Sequence, residues 1–248
     1  MRFPIQPPPH LHFSEEWVDQ TPSTNQTLKR RLSAAHLPDG FILATHHQTN
    51  GRGRGSRSWT APAGKVLCCS LFHATLLPPV QIPALTMAIA LGVSDFLLQK
   101  MQISAAPKWP NDLLVGSRKI CGILSEHIAS KGVIVGIGLN LTLTEQDLLG
   151  IDRPATSIRH ETEQEWSPED ALKSLLPFLA PRIQTWDQGG FELFRDEWTE
   201  RAGPIGKPLC VHDGSLKKSG TLAGFGTHGE LLLQTLTGKE TIWSGEIS

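Results

Sequence analysis

The sequence predicts an α+β protein, in which helices and short strands share one large domain and a small β module follows it. A long segment with apolar residues at helical spacing covers Ile82–Lys100. Compact apolar runs at Phe41–Thr45 and Val66–Phe72 have the length and composition of buried strands. Toward the C-terminus, short strand-like runs alternate with Asp-Gly, His-Gly and Thr-Gly pairs, which favour turns. We therefore expect one domain over residues 1–202 and an all-β domain over residues 203–248.

Charge and cysteine usage limit the class of protein. The chain has 248 residues, 39% hydrophobic residues and a formal net charge of −1. These values are ordinary for a soluble globular protein and argue against one built mainly to coat nucleic acid. The four cysteines have neither CxxC spacing nor an obvious disulfide framework. We therefore expect reduced thiols and a cytoplasmic protein.

Targeting and membrane segments are not evident. The first ten residues contain four prolines and no apolar stretch of signal-peptide length, so we expect no secretion signal. The longest apolar stretch, Ile82–Leu98, is interrupted by Pro83, Thr86, Ser94 and Asp95. This pattern predicts a buried helix and no membrane span.

The first helix is expected to begin at Ser23. Ser23-Thr-Asn-Gln26 has the Ser-x-x-Gln pattern of a capping box, and Leu28 and Leu32 follow at helical spacing. We expect the helix to end near Pro38. The polar side chains of such a cap either satisfy backbone donors or bind a polar ligand, and the pattern alone favours capping.

The strands that follow hold neighbouring polar residues apart. Adjacent residues on a strand point to opposite faces of the sheet. Paired metal ligation by Cys68 and Cys69, or by His46 and His47, is therefore not expected.

The middle of the chain predicts a hairpin and a central strand. Two strands around the Val115–Arg118 turn would bring Asp112 and Lys119 towards each other. Lys131–Leu141 is an apolar run with glycines, which suits a central strand approached closely by other groups. Asn140 is expected where that strand ends.

Two further helices are expected before the C-terminal module. Ser167 and Pro168 have the features of an N-cap and a first helical residue. The helix over Ala171–Trp186 is expected to be kinked or broken around Pro177 or Pro181. A short helix is expected around residues 191–201.

The loop Gln48–Trp59 contains three glycines and three arginines and no acidic residue. No Asp or Glu occurs between Asp39 and Asp95, so the local potential is positive. Glycines let a backbone approach a ligand closely, and N–H groups and guanidinium groups bind phosphate or carboxylate oxygens. These features predict an anion-binding loop. A solvated, mobile surface loop remains an alternative.

Generic phosphate-binding motifs do not account for this loop. Gly51-Arg-Gly53-Arg-Gly55-Ser lacks the third glycine of GxGxxG, and no GxxxxGK[ST] sequence occurs. A Walker-type ATPase or a Rossmann dehydrogenase is therefore not supported. No zinc-type His/Cys spacing is present either.

An ordered set of motifs matches a known family instead. The set comprises Ser23-Thr-Asn-Gln26, Gln48 before Gly51-Arg-Gly-Arg, Arg57 with Trp59, Lys108-Trp-Pro-Asn-Asp112, Lys119-Ile-Cys-Gly-Ile-Leu124, and Gly136-Ile-Gly-Leu-Asn140. It resembles the biotin protein ligases, which attach biotin to a lysine of a carrier protein. The resemblance extends from about Trp17 to the C-terminus, where Trp243–Ser248 looks like the close of the family's last domain.

The resemblance implies a fold and a reaction. The expected fold is a mixed β-sheet flanked by helices, related to class II aminoacyl-tRNA synthetases, with a small C-terminal SH3-like barrel. The expected enzyme converts biotin and MgATP into biotinyl-5′-AMP and pyrophosphate, and then transfers biotin to a lysine of the biotin carboxyl carrier protein of acetyl-CoA carboxylase or a related carrier domain.

The resemblance also assigns roles to residues. The residues that match biotin-binding positions of the family are Ser23, Thr24, Asn25, Gln48, Gly51, Arg52, Gly53, Arg54 and Lys119. The residues that match ATP- and adenylate-binding positions are Arg52, Arg54, Arg57, Trp59, Asn111, Asp112 and Asn140. We expect Arg54, Lys119 and Asp112 to be catalytic, and Asp112 either to lie near Mg²⁺ or to accept a proton.

The sequence departs from the family pattern at two places. Gly55-Ser56 replaces the bulkier, more basic residues common in the family, so retention of the adenylate is expected to be looser. The chain begins just before the catalytic domain, so we expect the monofunctional type without DNA binding. A homodimer is possible. The alternatives are a lipoate–protein ligase-like acyltransferase and a catalytically silent biotin-binding module.

Overall fold

The computed structural model describes residues 11–213 and 216–248. A seven-stranded sheet forms the centre of the molecule. Its strands are β1 (Ser14–Thr21), β2 (Phe41–Gln48), β5 (Val66–His73), β6 (Ala106–Lys108), β7 (Asp112–Val115), β8 (Arg118–Ile128) and β9 (Gly132–Asn140). Their order is β1-β2-β5-β9-β8-β7-β6. Because β1 and β2 are parallel and the other neighbours are antiparallel, the predicted mixed sheet is confirmed.

Helices cover both faces of this sheet. They are α1 (Thr24–Ala34), α2 (Ile82–Met101), α3 (Glu145–Leu149), α4 (Ile158–Thr162), α5 (Pro168–Gly189) and α6 (Arg195–Ala202). Helices α2 and α5 bury most of the core against one face, where β9 contributes Val133, Val135, Ile137 and Leu139. On the opposite face, Leu28 of α1 packs against Phe72 and Ile134. This second face is only partly covered by α1, which leaves room for a site.

Helix α2 is the apolar segment considered as a membrane span. With the short turn before it, the segment covers Pro79–Met101, and a window of mean hydropathy 1.6 within it is 78% buried in the fold. Length and composition alone would suit a membrane span, but the burial is that of a core helix, as the sequence predicts. The absence of a secretion signal was expected from residues 1–10, which lie outside the described residues.

Two details of the helices differ from the expectations. Helix α1 begins at Thr24 as expected and ends at Ala34, but Ser23 makes no side-chain capping hydrogen bond, so the predicted capping box is wrong. Helix α5 runs unbroken through Pro177 and Pro181, so a break there is wrong. Burial of apolar side chains on both sides of the prolines offsets the lost backbone hydrogen bonds. These side chains are Leu172, Leu175, Leu179, Ile183 and Trp186.

The C-terminal part forms a separate antiparallel sheet. Its strands are β10 (Pro208–Asp213), β11 (Leu216–Phe225), β12 (Leu231–Thr235), β13 (Gly238–Ile242) and β14 (Glu246–Ile247). They follow the order β13-β12-β11-β10-β14. Over the described residues, no pairing of β13 with β14 closes a barrel, so the SH3-like barrel stays a prediction, as does a domain boundary after residue 202. Phe225 packs against Trp198 of α6, which attaches this sheet to the large domain.

Candidate active site

The site lies on the partly open face of the large sheet, above a row of glycines. Gly122 and Gly138 are cross-strand partners in β8 and β9, and Gly136 lies two residues before Gly138. A Cβ atom at Gly136 would lie 2.3 Å from Oδ1 of Asn25, and one at Gly138 would lie 2.5 Å from the Trp59 ring. We call Gly122, Gly136 and Gly138 the glycine floor. The close approach expected for β9 is confirmed.

Above the glycine floor is a cavity of about 470 Å³, the size of a small-ligand pocket. The residues predicted for the biotin and nucleotide sites come together here, from five separate stretches of the chain. Those that line it are Ser23, Thr24, Asn25, Gln48, Arg52, Gly53, Arg54, Arg57, Trp59, Asn111, Asp112, Lys119 and Asn140. Gly51 is the predicted residue outside this lining, and it pairs with Trp59 in the ribbon that carries the arginines.

The charges around the cavity are unbalanced. Its basic side chains are Arg52, Arg54, Arg57, Lys119 and Arg153, whereas its carboxylates are those of Asp112 and Asp152. The excess of positive charge on one concave surface favours an anionic ligand. The positive charge predicted for the loop therefore extends over the cavity, and anion binding itself stays a prediction.

Lys119 and Asp112 form an ion pair at the edge of the cavity. Their Nζ and Oδ1 atoms are 2.6 Å apart, and the side chains are 27% and 18% exposed. This confirms the predicted approach across the hairpin. A register shift between Leu113 and Leu114 brings the two side chains together, because the shift pairs Asp112 with Gly122 while Leu114 pairs with Lys119. Oδ1 of Asp112 is buried, and within the described residues it makes no hydrogen bond beyond this ion pair.

The arginine loop is a small structured ribbon. Strand β3 (Gly51–Arg52) pairs with β4 (Ser58–Trp59), and the Gly53 N–H donates to the carbonyl of Arg57 at 2.9 Å. Arg54 donates to the carbonyl of Gly245 at 2.9 Å. Burial, together with the charge of Arg57, lowers the pKa of Arg54 from its ordinary value, but an arginine remains charged near neutral pH. The ribbon thus holds a desolvated cation over the cavity.

The helix start supplies the polar end of the cavity. The Thr24 N–H and hydroxyl both donate to Oε1 of Gln48, at 2.8 and 3.1 Å. Gln48 thereby satisfies one of the backbone donors at the start of α1, that of the first helical residue. Asn25 donates to the Leu124 carbonyl at 3.1 Å and to Glu126 at 2.8 Å. The amide hydrogens of Asn25 are therefore used inside the protein, and its part in ligand binding is restricted to the carbonyl oxygen.

Ser70 of β5 belongs to this polar end and was missed by sequence reasoning. Its hydroxyl is fully buried and lies 2.6 Å from Oδ1 of Asn25 and 2.7 Å from Oγ1 of Thr24. A serine inside the apolar run Val66–Phe72 gave one possible signal, since a buried hydroxyl needs a partner. Arg153 was also missed, because nothing in the sequence relates its loop to the ribbon.

Trp59 and Asn140 are held in place by different means. The Trp59 ring lies on the glycine floor, 5.3 Å from Nζ of Lys119, and its Nε1 atom is buried without a hydrogen-bond partner among the described residues. Asn140 is 3% exposed and donates to the Thr156 carbonyl at 2.8 Å. The glycine floor therefore positions the Trp59 ring, whereas the amide of Asn140 fixes the segment beside Lys119.

Metal ligation by protein groups alone finds no support in residues 11–213 and 216–248. Within them no group of three or more His, Cys, Asp or Glu side chains is placed to hold a metal ion. Cys68 and Cys69 belong to different hydrophobic clusters, so the expectation that they face opposite sides of the sheet is confirmed. Burial raises the pKa of the Cys68 thiol to about 12, which makes it unreactive at neutral pH.

The chain is similar in sequence and in structure to known proteins. Residues 17–140 match the biotin/lipoate A/B protein ligase family. The chain is 32% identical to a biotin–[acetyl-CoA-carboxylase] ligase of Paracoccus denitrificans, with 92% of this chain and 97% of that protein covered. It is 34% identical to a ligase of the same name from Mycobacterium tuberculosis, with 78% and 73% covered. Its structure superposes on the biotin protein ligase of Aquifex aeolicus in complex with biotin and ATP, at a TM-score of 0.78 and 28% identity, with 94% and 97% covered.

Proposed function

The chain belongs to the biotin/lipoate A/B protein ligase family, and we propose that it is an ATP-dependent biotin–[biotin carboxyl-carrier protein] ligase. It activates biotin as biotinyl-5′-AMP and transfers the biotin to a lysine of a carrier protein. The observation that supports this most strongly is the meeting of the arginine ribbon, the Lys119–Asp112 pair and the glycine floor around one cavity.

The first step joins two anions, and the charges of the cavity suit that step. A biotin carboxylate oxygen attacks the α-phosphorus of ATP, and the bond from that phosphorus to the bridging oxygen breaks as pyrophosphate leaves. Lys119 binds the carboxylate, while Arg52 and Arg54 offset the repulsion and stabilise the charge that develops. Gly51 and Gly53 let the ribbon close over both substrates. Arg54 and Lys119 are thus catalytic residues of this step.

The polar end of the cavity suits the ureido ring of biotin. Ser23, Thr24 and Gln48 offer hydroxyl and amide groups there, and Asn25 offers a carbonyl oxygen. We assign Trp59, Arg57, Asn111 and Asn140 to the nucleotide, as the resemblance implies.

Asp112 has a proposed role in the second step. A carrier lysine of ordinary pKa is neutral in only about one in 2,500 molecules at pH 7, so a proton acceptor speeds its attack on the adenylate. The amine nitrogen bonds to the biotinyl carbonyl carbon, and the bond from that carbon to the phosphate oxygen breaks as AMP leaves. Substitution of Asp112 by Asn should leave adenylate formation normal and slow the transfer, as measured in single-turnover experiments. Loss of adenylate formation would instead place Asp112 at the metal or nucleotide.

Mg²⁺ enters with ATP in this proposal. The cavity offers the carboxylate of Asp152 and that of Asp112, which pairs with Lys119 through Oδ1. One or two carboxylates together with substrate phosphates suffice to hold Mg²⁺. The residues therefore fit a magnesium ion bound mainly by ATP, which would neutralise charge on the phosphates.

The proposed partner is a carrier domain such as the biotin carboxyl carrier protein of acetyl-CoA carboxylase, which the names of the relatives suggest. A cytoplasmic location and a homodimer stay predictions. The absence of DNA binding is also a prediction. A salt-sensitive, sequence-specific gel shift on operator DNA would contradict it.

Isotope exchange between pyrophosphate and ATP tests the proposed function. We expect exchange that requires biotin and is not supported by lipoate. Exchange with lipoate alone would favour a lipoate–protein ligase, which the family description also includes. Tight biotin binding without exchange and without carrier modification would favour the silent biotin-binding module.

A further inference from the structure

The C-terminal strand places one carboxylate between two arginines of the cavity. Glu246 of β14 accepts from Nη2 of Arg57 at 2.5 Å, and its other carboxylate oxygen accepts from Nη1 of Arg153. The neighbouring Gly245 carbonyl accepts from Arg54 at 2.9 Å. Gly245 and the first residue of β14, Glu246, therefore contact three arginines that line the cavity.

Each member of this cluster is carried by a fixed element. Glu246 is paired with His212 of β10, so its backbone belongs to the C-terminal sheet. Arg57 belongs to the ribbon, and Arg153 precedes Pro154, whose carbonyl accepts from the Lys119 N–H at 2.9 Å. The two arginines are thus presented from separate walls of the cavity, and the Glu246 carboxylate bridges them.

The surrounding cations keep the Glu246 carboxylate ionised, but its single negative charge is smaller than the positive charge around it. Burial alone would raise the pKa of Glu246, but Arg153, Arg57 and Lys108 outweigh it, and the pKa lies below the ordinary value. One carboxylate cannot neutralise two guanidinium groups with Arg54 beside them. A ligand with more negative charge and more oxygen atoms would therefore compete well for the same arginines.

The reaction supplies such a ligand, provided the proposed function holds. When the bond from the α-phosphorus to the bridging oxygen breaks, the electron pair and the growing negative charge go to pyrophosphate. We propose that Arg57 and Arg153 form the subsite for the terminal phosphates of ATP and the leaving pyrophosphate, and that Glu246 occupies this subsite until ATP displaces it. Displacement of Glu246 also weakens the hydrogen bond from Arg54 to the Gly245 carbonyl, so that the Arg54 side chain can bind the adenylate.

Two substitutions test this subsite in the full chain. Glu246→Gln removes the competing charge and keeps the shape, so the KM for ATP and the inhibition constant for inorganic pyrophosphate should each fall about threefold. Arg153→Gln removes one phosphate contact, so both constants should rise about tenfold. The KM for biotin should stay unchanged in both variants. All three constants are measured in carrier biotinylation, after thermal melting shows that each variant is folded.

Matched controls come from exposed ion pairs away from the cavity. Glu240 pairs with Lys218 in the C-terminal sheet, and Arg159 pairs with Glu165 in the large domain. Glu240→Gln and Arg159→Gln should leave the three constants unchanged, which separates the cluster from a general effect of surface charge.

The outcomes distinguish this inference from the proposed function. Lack of biotin-dependent exchange in the unsubstituted chain would remove the proposed function and the subsite with it. Normal exchange with unchanged constants in both variants would remove the subsite alone. A higher KM for ATP in Glu246→Gln would show that the carboxylate supports ATP binding, and would overturn its role as a displaced internal anion.

Discussion

The two ends of strand β5 hold charge in opposite ways. At one end, the imidazole of His73 is 3% exposed as a residue and lies between Asp39 and Asp187, with each ring nitrogen 2.9 Å from a carboxylate oxygen. At the other end, the strand borders a cavity with more arginines and lysines than carboxylates. The closed end is saturated and has no free donor for a ligand, whereas the open end has an excess of donors. We expect the fully paired charges around His73 to stabilise the fold, and the excess cations of the cavity to act in binding and catalysis.

The largest expected effect is at the open end. Lys119→Gln removes the cation proposed to bind the biotin carboxylate, so biotin-dependent ATP–pyrophosphate exchange should fall by about 10² to 10³ fold. Some stability should also be lost, because the buried Oδ1 atom of Asp112 loses its ion-pair partner, so exchange is measured at a temperature where the variant is folded. Lys218→Gln is the control, since Lys218 pairs with the exposed Glu240. Exchange at normal rates in Lys119→Gln would contradict the assignment of a catalytic role.

The closed end should respond in the opposite way. His73→Gln leaves Asp39 and Asp187 without their shared cation, and the free energy of unfolding should fall by about 3 kcal/mol. Below the melting temperature, the KM values for biotin and ATP should not change. Denaturant unfolding and steady-state kinetics measure the two quantities. A large rise in either KM would show that the closed end is coupled to the cavity, and the comparison would fail.

The pH dependence of stability sharpens the same contrast. Burial alone would lower the pKa of His73, but the hydrogen bonds and charges of Asp187 and Asp39 raise it from 6.5 to about 9. A raised folded-state pKa gives stability that is complete below pH 6.5 and is lost as the pH rises through about 9. The difference in unfolding free energy between the unsubstituted chain and His73→Gln should therefore shrink by about 3 kcal/mol over this interval. Parallel pH curves would contradict a charged His73.

The smallest of these effects concerns Ser70, which lies inside β5 between the two ends. Ser70→Ala removes the hydroxyl that contacts Asn25 and Thr24, so the KM for biotin should rise about tenfold while the KM for ATP stays constant. Ser94→Ala is a matched control, because the buried Ser94 hydroxyl donates to the Ala105 carbonyl within the core. Both variants should lose similar stability. Equal kinetic effects in the two would assign Ser70 a purely structural role.

The sequence predicted the open end far better than the closed end. The ribbon, the Lys119–Asp112 pair and the glycines of β9 carry short-range patterns, and the resemblance joined them into one site. His73 has no such signal, because its partners Asp39 and Asp187 are 34 and 114 residues away along the chain. Only the fold brings these residues together.

Errors in the sequence predictions have similar causes. The Ser23 cap was judged from local spacing, but the side chain that binds the start of α1 is that of Gln48, 24 residues from Thr24, whose N–H it accepts. The break expected at Pro177 or Pro181 followed local backbone rules, and tertiary burial of α5 overrides them. The contact of Glu246 with Arg57 spans 189 residues, so no local pattern could predict it.

The mass of a carrier domain after incubation with biotin and MgATP tests the central claim most directly. The account predicts one added biotinyl group per acceptor lysine with the unsubstituted chain and with His73→Gln, and almost none with Lys119→Gln. Omission of ATP or of biotin should abolish the mass change. An unmodified carrier with the unsubstituted chain, or full modification with Lys119→Gln, would contradict the claim that the open end of β5 is the site of biotin transfer.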